Sequence, residues 1–171
     1  PIPEEEMREW LDYTIERILA LSPRRVLEIG CGTGLIVFRI APHCLHYTGT
    51  DFSLEALAAI RQQAAASGQD LSNVSLIQRP AHDLSDMEQH AYDTIILNSV
   101  VQYFPSIEYL YDVLKGAVRL LKPGGTIFVG DVRNFALLSA FHTSVQLAQV
   151  ESSMSIDQFQ KRVCKQVERD Q

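Results

Sequence analysis

Nowhere in this chain do basic residues gather. Lys and Arg number 15 against 21 Asp and Glu, a net charge of −6, and no Lys/Arg run occurs. Phosphate backbones are held by basic faces, so nucleic acid is excluded as the main partner, whereas a cationic small ligand suits the balance. No apolar stretch approaches the ~20 residues of a membrane span, and no charged-then-apolar leader opens the chain, so no membrane partner is expected. Cysteine is scarce. Cys31, Cys44 and Cys164 are odd in number and lack metal-ligand spacing, which predicts reduced thiols in a cytoplasmic protein and no metal site. Repeats and low-complexity tracts are missing too, and the first residue is Pro1 rather than Met, as in an excised segment. What is present, 171 residues with 46% apolar content, suffices for one domain with a real core.

Helix-period and strand-like segments alternate along the chain. Met7, Trp10, Leu11, Ile15, Ile18 and Leu19 recur at helical spacing and predict an amphipathic helix over 4–21, ended by Ser22-Pro23. The apolar run Val26–Ile29, bounded by glycine, predicts a buried strand, and His46–Thr50, Val74–Gln78, Asp93–Asn98 and Thr126–Asp131 predict four more. Between them, Leu35–Ala41 and Leu54–Ser67 read as helices, the second capped by Ser53. Ile107, Leu110, Leu114, Ala117, Val118 and Leu121 form the apolar stripe of another helix, after which Pro123-Gly124-Gly125 turns the chain. Such alternation implies an α/β fold, a Rossmann-like doubly wound parallel sheet with right-handed crossovers. The last forty residues differ: Phe135–Val150 and Ile156–Val167 predict helices, the latter opened by a Ser155/Gln158 capping box, with no further strand. A single domain over 1–171 is expected: an N-terminal helix in 1–22, sheet and cofactor-binding helices in 23–134, and C-terminal helices in 135–171 that end early.

Glu28-Ile-Gly-Cys-Gly-Thr-Gly34 occupies the first strand-to-helix turn, where glycines let a ligand approach the main chain. About 20 residues on, Asp51 ends the second strand, where a carboxylate can accept both hydroxyls of a ribose. The plain alternative is a bare turn with Asp51 serving the next helix. The dinucleotide fingerprint needs a sixth-position glycine, and that position is Leu35. A pyrophosphate near Glu28 would be repelled, whereas a sulfonium and an amino group would be attracted, so S-adenosylmethionine is the expected cofactor.

The same residues resemble the first motif of class I S-adenosylmethionine-dependent methyltransferases. Thr50-Asp51-Phe52-Ser53 resembles their second motif, with Asp51 on the ribose, and Ala81-His82-Asp83-Leu84 their third, where the acid meets the adenine amino group and its neighbours flank the ring. Tyr92–Asn98 is similar to the fourth strand, whose end faces the methionine part, and Leu121–Gly125 to the glycine turn before strand five. The resemblance implies cofactor contacts from Glu28, Gly30, Cys31, Gly32, Gly34, Asp51, Phe52, Ser53, His82, Asp83, Leu84, Asn98 and Ser99. It implies two further strands as well, and these are missing. Within that family, Asn98–Pro105, Gly130–Asn134 and Phe141–Val145 resemble methyltransferase domains embedded in nonribosomal peptide and polyketide synthases, enzymes of secondary metabolism and antibiotic biosynthesis. That implies neighbouring synthase domains, and an acyl or peptidyl carrier protein whose phosphopantetheine arm carries the substrate for O-, N- or C-methylation. A methyltransferase acting on a free metabolite, a nicotinamide-dependent oxidoreductase and an inactive cofactor-binding domain are the alternatives.

Reacting groups gather at the carboxyl ends of strands, which points to Asn98–Tyr103 and Asp131–Asn134. His142, two turns into the following helix, is the candidate base because imidazole titrates near neutrality; packing among Leu138, Phe141 and Val145 is its other reading. Gln102 and Tyr103 could orient the acceptor or belong to a covering loop, and Asp131 could orient a base or bond its own strand end. Tyr13 could close over the cofactor from the first helix, but core packing is the expected reading.

Overall fold

The computed structural model describes residues 3–132, 134–150 and 154–169, and the chain divides into two compact units, 1–132 and 133–171. In the first unit the elements follow the order α1 (Glu4–Leu19), β1 (Arg25–Ile29), α2 (Val37–Ile40), β2 (His46–Asp51), α3 (Leu54–Ser67), β3 (Val74–Gln78), β4 (Tyr92–Asn98), α4 (Ile107–Leu120) and β5 (Leu121–Gly130). All four strand pairings are parallel, in the order β3-β2-β1-β4-β5. This is the Rossmann-like doubly wound parallel sheet expected from the sequence, with five strands among the described residues.

Because side chains alternate across a strand, the sheet builds one core on each face. Val26 and Ile96 join Tyr47, Ile15, Ile18, Ile40 and Ile60 on one side; Leu27, Ile29, Ile95 and Leu97 join Leu84, Val113, Ala117 and Leu120 on the other. Asp93 ties the sheet together at its amino edge, its two carboxylate oxygens accepting the backbone N–H groups of Arg24 and Arg25 at 2.9 and 2.8 Å.

Several local expectations hold at the residue. α3 spans Leu54–Ser67 as expected, and Ser53 Oγ accepts from Ala56 N at 3.2 Å. Others need correcting. The helix expected over 35–41 is one turn, Val37–Ile40, followed by a 3₁₀ turn at Ala41–His43, since Pro42 can donate no backbone hydrogen bond. The stripe assigned to α4 is rotated: Val113, Ala117 and Leu120 are buried, while Ile107 and Val118 are 71% and 59% exposed. Gly116 explains the rotation, because a Cβ there would lie 3.0 Å from Leu84 Cδ1, so the helix seats its smallest residue against that leucine. β5 begins earlier than expected: Leu121 pairs with Tyr92, Lys122–Gly125 bulge out, and pairing resumes at Thr126. Tyr13 is 62% exposed under the Arg17 guanidinium rather than in the core, an outward turn of α1.

The second unit holds a 3₁₀ turn (Phe135–Leu137), α5 (Leu138–Ala148) and α6 (Ile156–Arg169). The expected helix over 135–150 thus starts later, with Asn134 Oδ1 accepting from Ala136 N to cap the turn. The capping box forms as expected, Ser155 N donating to Gln158 Oε1 and Gln158 N to Ser155 Oγ. No helix among the described residues is long and apolar enough to cross a membrane.

Candidate functional site

Strand order reverses between β1 and β4, and in an open parallel sheet the crevice at such a reversal collects ligands at the carboxyl edge. The loop after β1 is built to turn tightly there, against Val100. Gly30 sits at φ +79°, a conformation that L side chains disfavour, and a Cβ on it would come 2.6 Å from Val100 Cγ2. Thr50 O accepts both Gly30 N and Cys31 N at 2.8 and 2.9 Å, which pins the loop to the end of β2.

Asp51, 8% exposed, anchors the same loop. Its Oδ2 accepts Gly32 N at 2.9 Å and its Oδ1 accepts Ser53 N at 2.9 Å. Each oxygen keeps a further lone pair, so the carboxylate is oriented without being saturated.

Two cavities meet across the glycines and share Gly30, Gly32 and Ser99. The larger, about 680 Å³, is lined further by Asp51, Phe52, Arg79, Pro80, Ala81, Val100, Tyr103, Phe104, Pro105 and Tyr109. Its size suits a small ligand, and apart from Asp51 and Arg79 its walls are mostly apolar and aromatic. Arg79 is committed elsewhere, to Asp83 O at 2.8 Å and to Asp86 at 2.7 Å. The smaller, about 180 Å³, is lined by Trp10, Glu28, Cys31, Thr33, Leu35, Ile36 and Asn98 besides the shared residues.

Acceptors without donors mark this smaller cavity. Asn98 is 7% exposed, and its Oδ1 has no hydrogen-bond partner among the described residues. Its Nδ2 donates to Ser99 Oγ at 3.0 Å, and Ser99 Oγ donates to Asp131 Oδ2 at 2.6 Å. Both Ser99 and Asp131 hold left-handed backbone, φ +55° and +54°, where strained conformers often mark functional positions. Glu28 is 2% exposed and receives Tyr47 Oη at 2.7 Å through Oε2. Burial pushes its carboxyl up from 4.5 to about 7, with the Tyr47 bond opposing and Asp51 adding to the rise. The Cys31 thiol is pushed far up by the same burial and negative neighbours, so it is no nucleophile.

Of the residues singled out from sequence, Glu28, Gly30, Cys31, Gly32, Asp51, Phe52, Asn98 and Ser99 thus line one cavity or the other. Others stand back from the walls. A Cβ on Gly34 would meet Ile60 at 2.9 Å, so that position serves packing. Ser53 caps α3, and Leu84 is 1% exposed in the core under α4. His82 is exposed and bonds through Nδ1 to Tyr109 Oη at 2.9 Å, steadying a wall residue, while Asp83 is exposed and offers its carbonyl to Arg79. Gln102 lies in the 3₁₀ turn Val101–Tyr103 with a buried, unpartnered Oε1, and Asp131 is exposed at the end of β5. His142 belongs to the second unit, 7% exposed on the buried stripe Leu138–His142–Gln146 and edge-on to Phe141. Trp10, Arg79, Pro80 and Tyr109 were not singled out as site residues, and Val100 and Phe104 only as part of Asn98–Pro105. Trp10 reads as one more core position of an amphipathic helix, and nothing in the spacing of Arg79 or Tyr109 marks a wall. Among the described residues no group of three His, Cys, Asp or Glu could hold a metal.

Fold and site together define a class I S-adenosylmethionine-dependent methyltransferase. Residues 27–127 match the family described as Methyltransferase domain, and the chain belongs to it. It is 53% identical over 162 residues to "Chondramide synthase cmdD" of Chondromyces crocatus, covering 95% of this chain and 4% of that one. It is 47% identical over 146 residues to "Probable non-canonical nonribosomal peptide synthetase (NRPS) CymA" of Salinispora arenicola, covering 85% and 2%. The chain therefore spans a small fraction of these relatives. Among solved structures, a S-adenosylmethionine-dependent methyltransferase from Clostridium acetobutylicum superposes with a TM-score of 0.64 at 21% identity, over 78% of this chain and 53% of that one.

The cavities fit the cofactor. Its nucleoside needs a roomy apolar slot with one carboxylate, and its amino acid end needs buried acceptors for an ammonium. The orphaned Oδ1 of Asn98 and the open space over Gly32, where a Cβ would meet nothing within 4 Å, are what such a ligand requires.

Proposed function

We propose that this chain is a synthase-embedded methyltransferase acting on a peptide or polyketide intermediate tethered through phosphopantetheine to a carrier protein. The relatives' names support this reading: this chain matches a few per cent of very long peptide synthetases, as one catalytic module among many would. Such a setting places it in the cytoplasm, which suits three unpaired cysteines.

The observation that carries the cofactor pose is the pair of unlike cavities joined over Gly30 and Gly32, one apolar with Asp51 at its edge, the other holding Glu28 and Asn98. Asp51 accepts the ribose hydroxyls, its orientation fixed by the N–H groups of Gly32 and Ser53. Phe52, Tyr103, Phe104 and Tyr109 enclose the adenine. Glu28 and Asn98, which line the smaller cavity, would hold the amino group. When bound, S-adenosylmethionine supplies a methyl group on a positively charged sulfur. The protein's part is alignment, since in-line displacement gains most of its rate from held geometry. Gln102 and Asp131 orient the acceptor.

The test is intact-mass analysis of a carrier protein loaded with an aminoacyl or ketide group after incubation with isotopically labelled cofactor. The expected product is a carrier heavier by one labelled methyl in place of hydrogen, located by fragmentation on the tethered group. Transfer to the free acid or amine but never to the loaded carrier overturns the tethered-substrate reading.

A further inference from the structure

Tyr47 has no place in the reaction as described, yet it is a large, fully buried side chain whose hydroxyl reaches one atom of the site. It lies on β2 opposite Val26, and the residue of β2 opposite Glu28 is Gly49, which has no side chain. Parallel register puts Tyr47 and Glu28 on the same face, and the phenol reaches the carboxylate along the strand. The bond is 2.7 Å and uses Oε2 alone. Glu28 Oε1 has no hydrogen-bond partner among the described residues, and Glu28 lines the smaller cavity.

We propose that Tyr47 is a positioning residue: its hydrogen bond fixes Glu28 Oε2 so that Oε1 is presented to the cofactor's amino group. The inference rests on the placement of the amino group beside Glu28 given above.

Among the described residues, Tyr47 is the one group favouring ionisation. From β2, Tyr47 donates and Asp51 repels; from the glycine loop, the Cys31 thiol stands close; β4 presents Ile96, and α1 presents the neutral Trp10 to the same cavity. No cation acts on Glu28 among the described residues. Burial drives the carboxyl up and only the phenol holds it back, to about 7. Removing a hydrogen bond to a charged group shifts such an equilibrium by roughly one to two pH units.

The experiment is calorimetric titration with S-adenosylmethionine from pH 5.5 to 8.5, on the wild-type protein, Tyr47→Phe, Glu28→Gln and the double variant. The ligand's own amino group, ordinarily near 8, limits affinity at high pH equally in all four. Wild type is expected to lose affinity as pH falls through about 7. Tyr47→Phe should move that break up by one to two pH units and weaken binding at pH 7.5 by about 3- to 30-fold. Glu28→Gln should flatten the low-pH limb, and adding Tyr47→Phe to it should then change little. A break in Tyr47→Phe that coincides with wild type, or equal weakening in the presence and absence of Glu28→Gln, overturns the inference while leaving the cofactor pose standing. If Glu28→Gln alone keeps wild-type affinity and pH dependence, the pose itself fails, and the role of Tyr47 fails with it.

Discussion

Glu28 is held in the folded protein at a cost that pH should reveal. Its carboxyl ionises near 4.5 in an unfolded chain and near 7 when buried between the sheet and its covering helices. Between those values the folded state holds a proton that the unfolded state has released. Stability from this residue is therefore present below about 4.5, fades as pH rises to about 7, and is gone above it. A displacement of that size, at ~1.4 kcal/mol per pH unit, amounts to about 3 kcal/mol. Glu28→Gln keeps an oxygen for Tyr47 and cannot ionise. Relative to wild type, the variant should gain about 3 kcal/mol between pH 4.5 and 8, even if both are equally stable in acid. Urea unfolding of the cofactor-free protein at half-unit pH steps measures this as a widening gap between two curves. Parallel curves across that range would refute the reasoning, because every other titrating group is common to both proteins. A residue that is worse for the fold at working pH than its neutral isostere is one retained for the ligand.

Two further outcomes follow from the site. Asp51→Ala should weaken S-adenosylmethionine binding by at least the ~1.5–3 kcal/mol of charged hydrogen bonds, about 10- to 150-fold in calorimetry, and unchanged affinity removes the ribose assignment. Gly30→Ala puts a methyl against Val100 at a positive φ, so a loss of about 1–3 kcal/mol in urea melts together with loss of cofactor binding is expected; wild-type affinity would mean the ligand lies elsewhere.

Much of this molecule is legible in its residues. The caps at Ser53 and Ser155 are local hydrogen bonds between groups two or three residues apart, and they form where the spacing puts them. The strands other than β5 are found within a residue, because short β-rich runs between turn residues have few other ways to satisfy their backbone. α4 shows where such reading fails. Ile107 and Val118 sit at plausible core spacing, but the face that is buried was decided by Gly116 against Leu84, a contact across 32 positions of sequence. Tyr109 and Arg79 are invisible for the same reason: each becomes a wall only through the loop that lies opposite it.

The sequence by itself determined the succession of strands and helices, the glycine turn and the acid ending the second strand, since each depends on near neighbours and on the period of the side chains. Tertiary structure alone decided which acceptors would be left wanting donors. Pairing β1 with β2 and β4 set Tyr47 on one oxygen of Glu28 and left the other free, and closing β4 against β5 engaged Ser99 with Asp131 while stranding the carbonyl of Asn98. Whether a buried polar atom is satisfied depends on what the rest of the chain brings within about 3 Å of it, and no pattern along the backbone carries that distance.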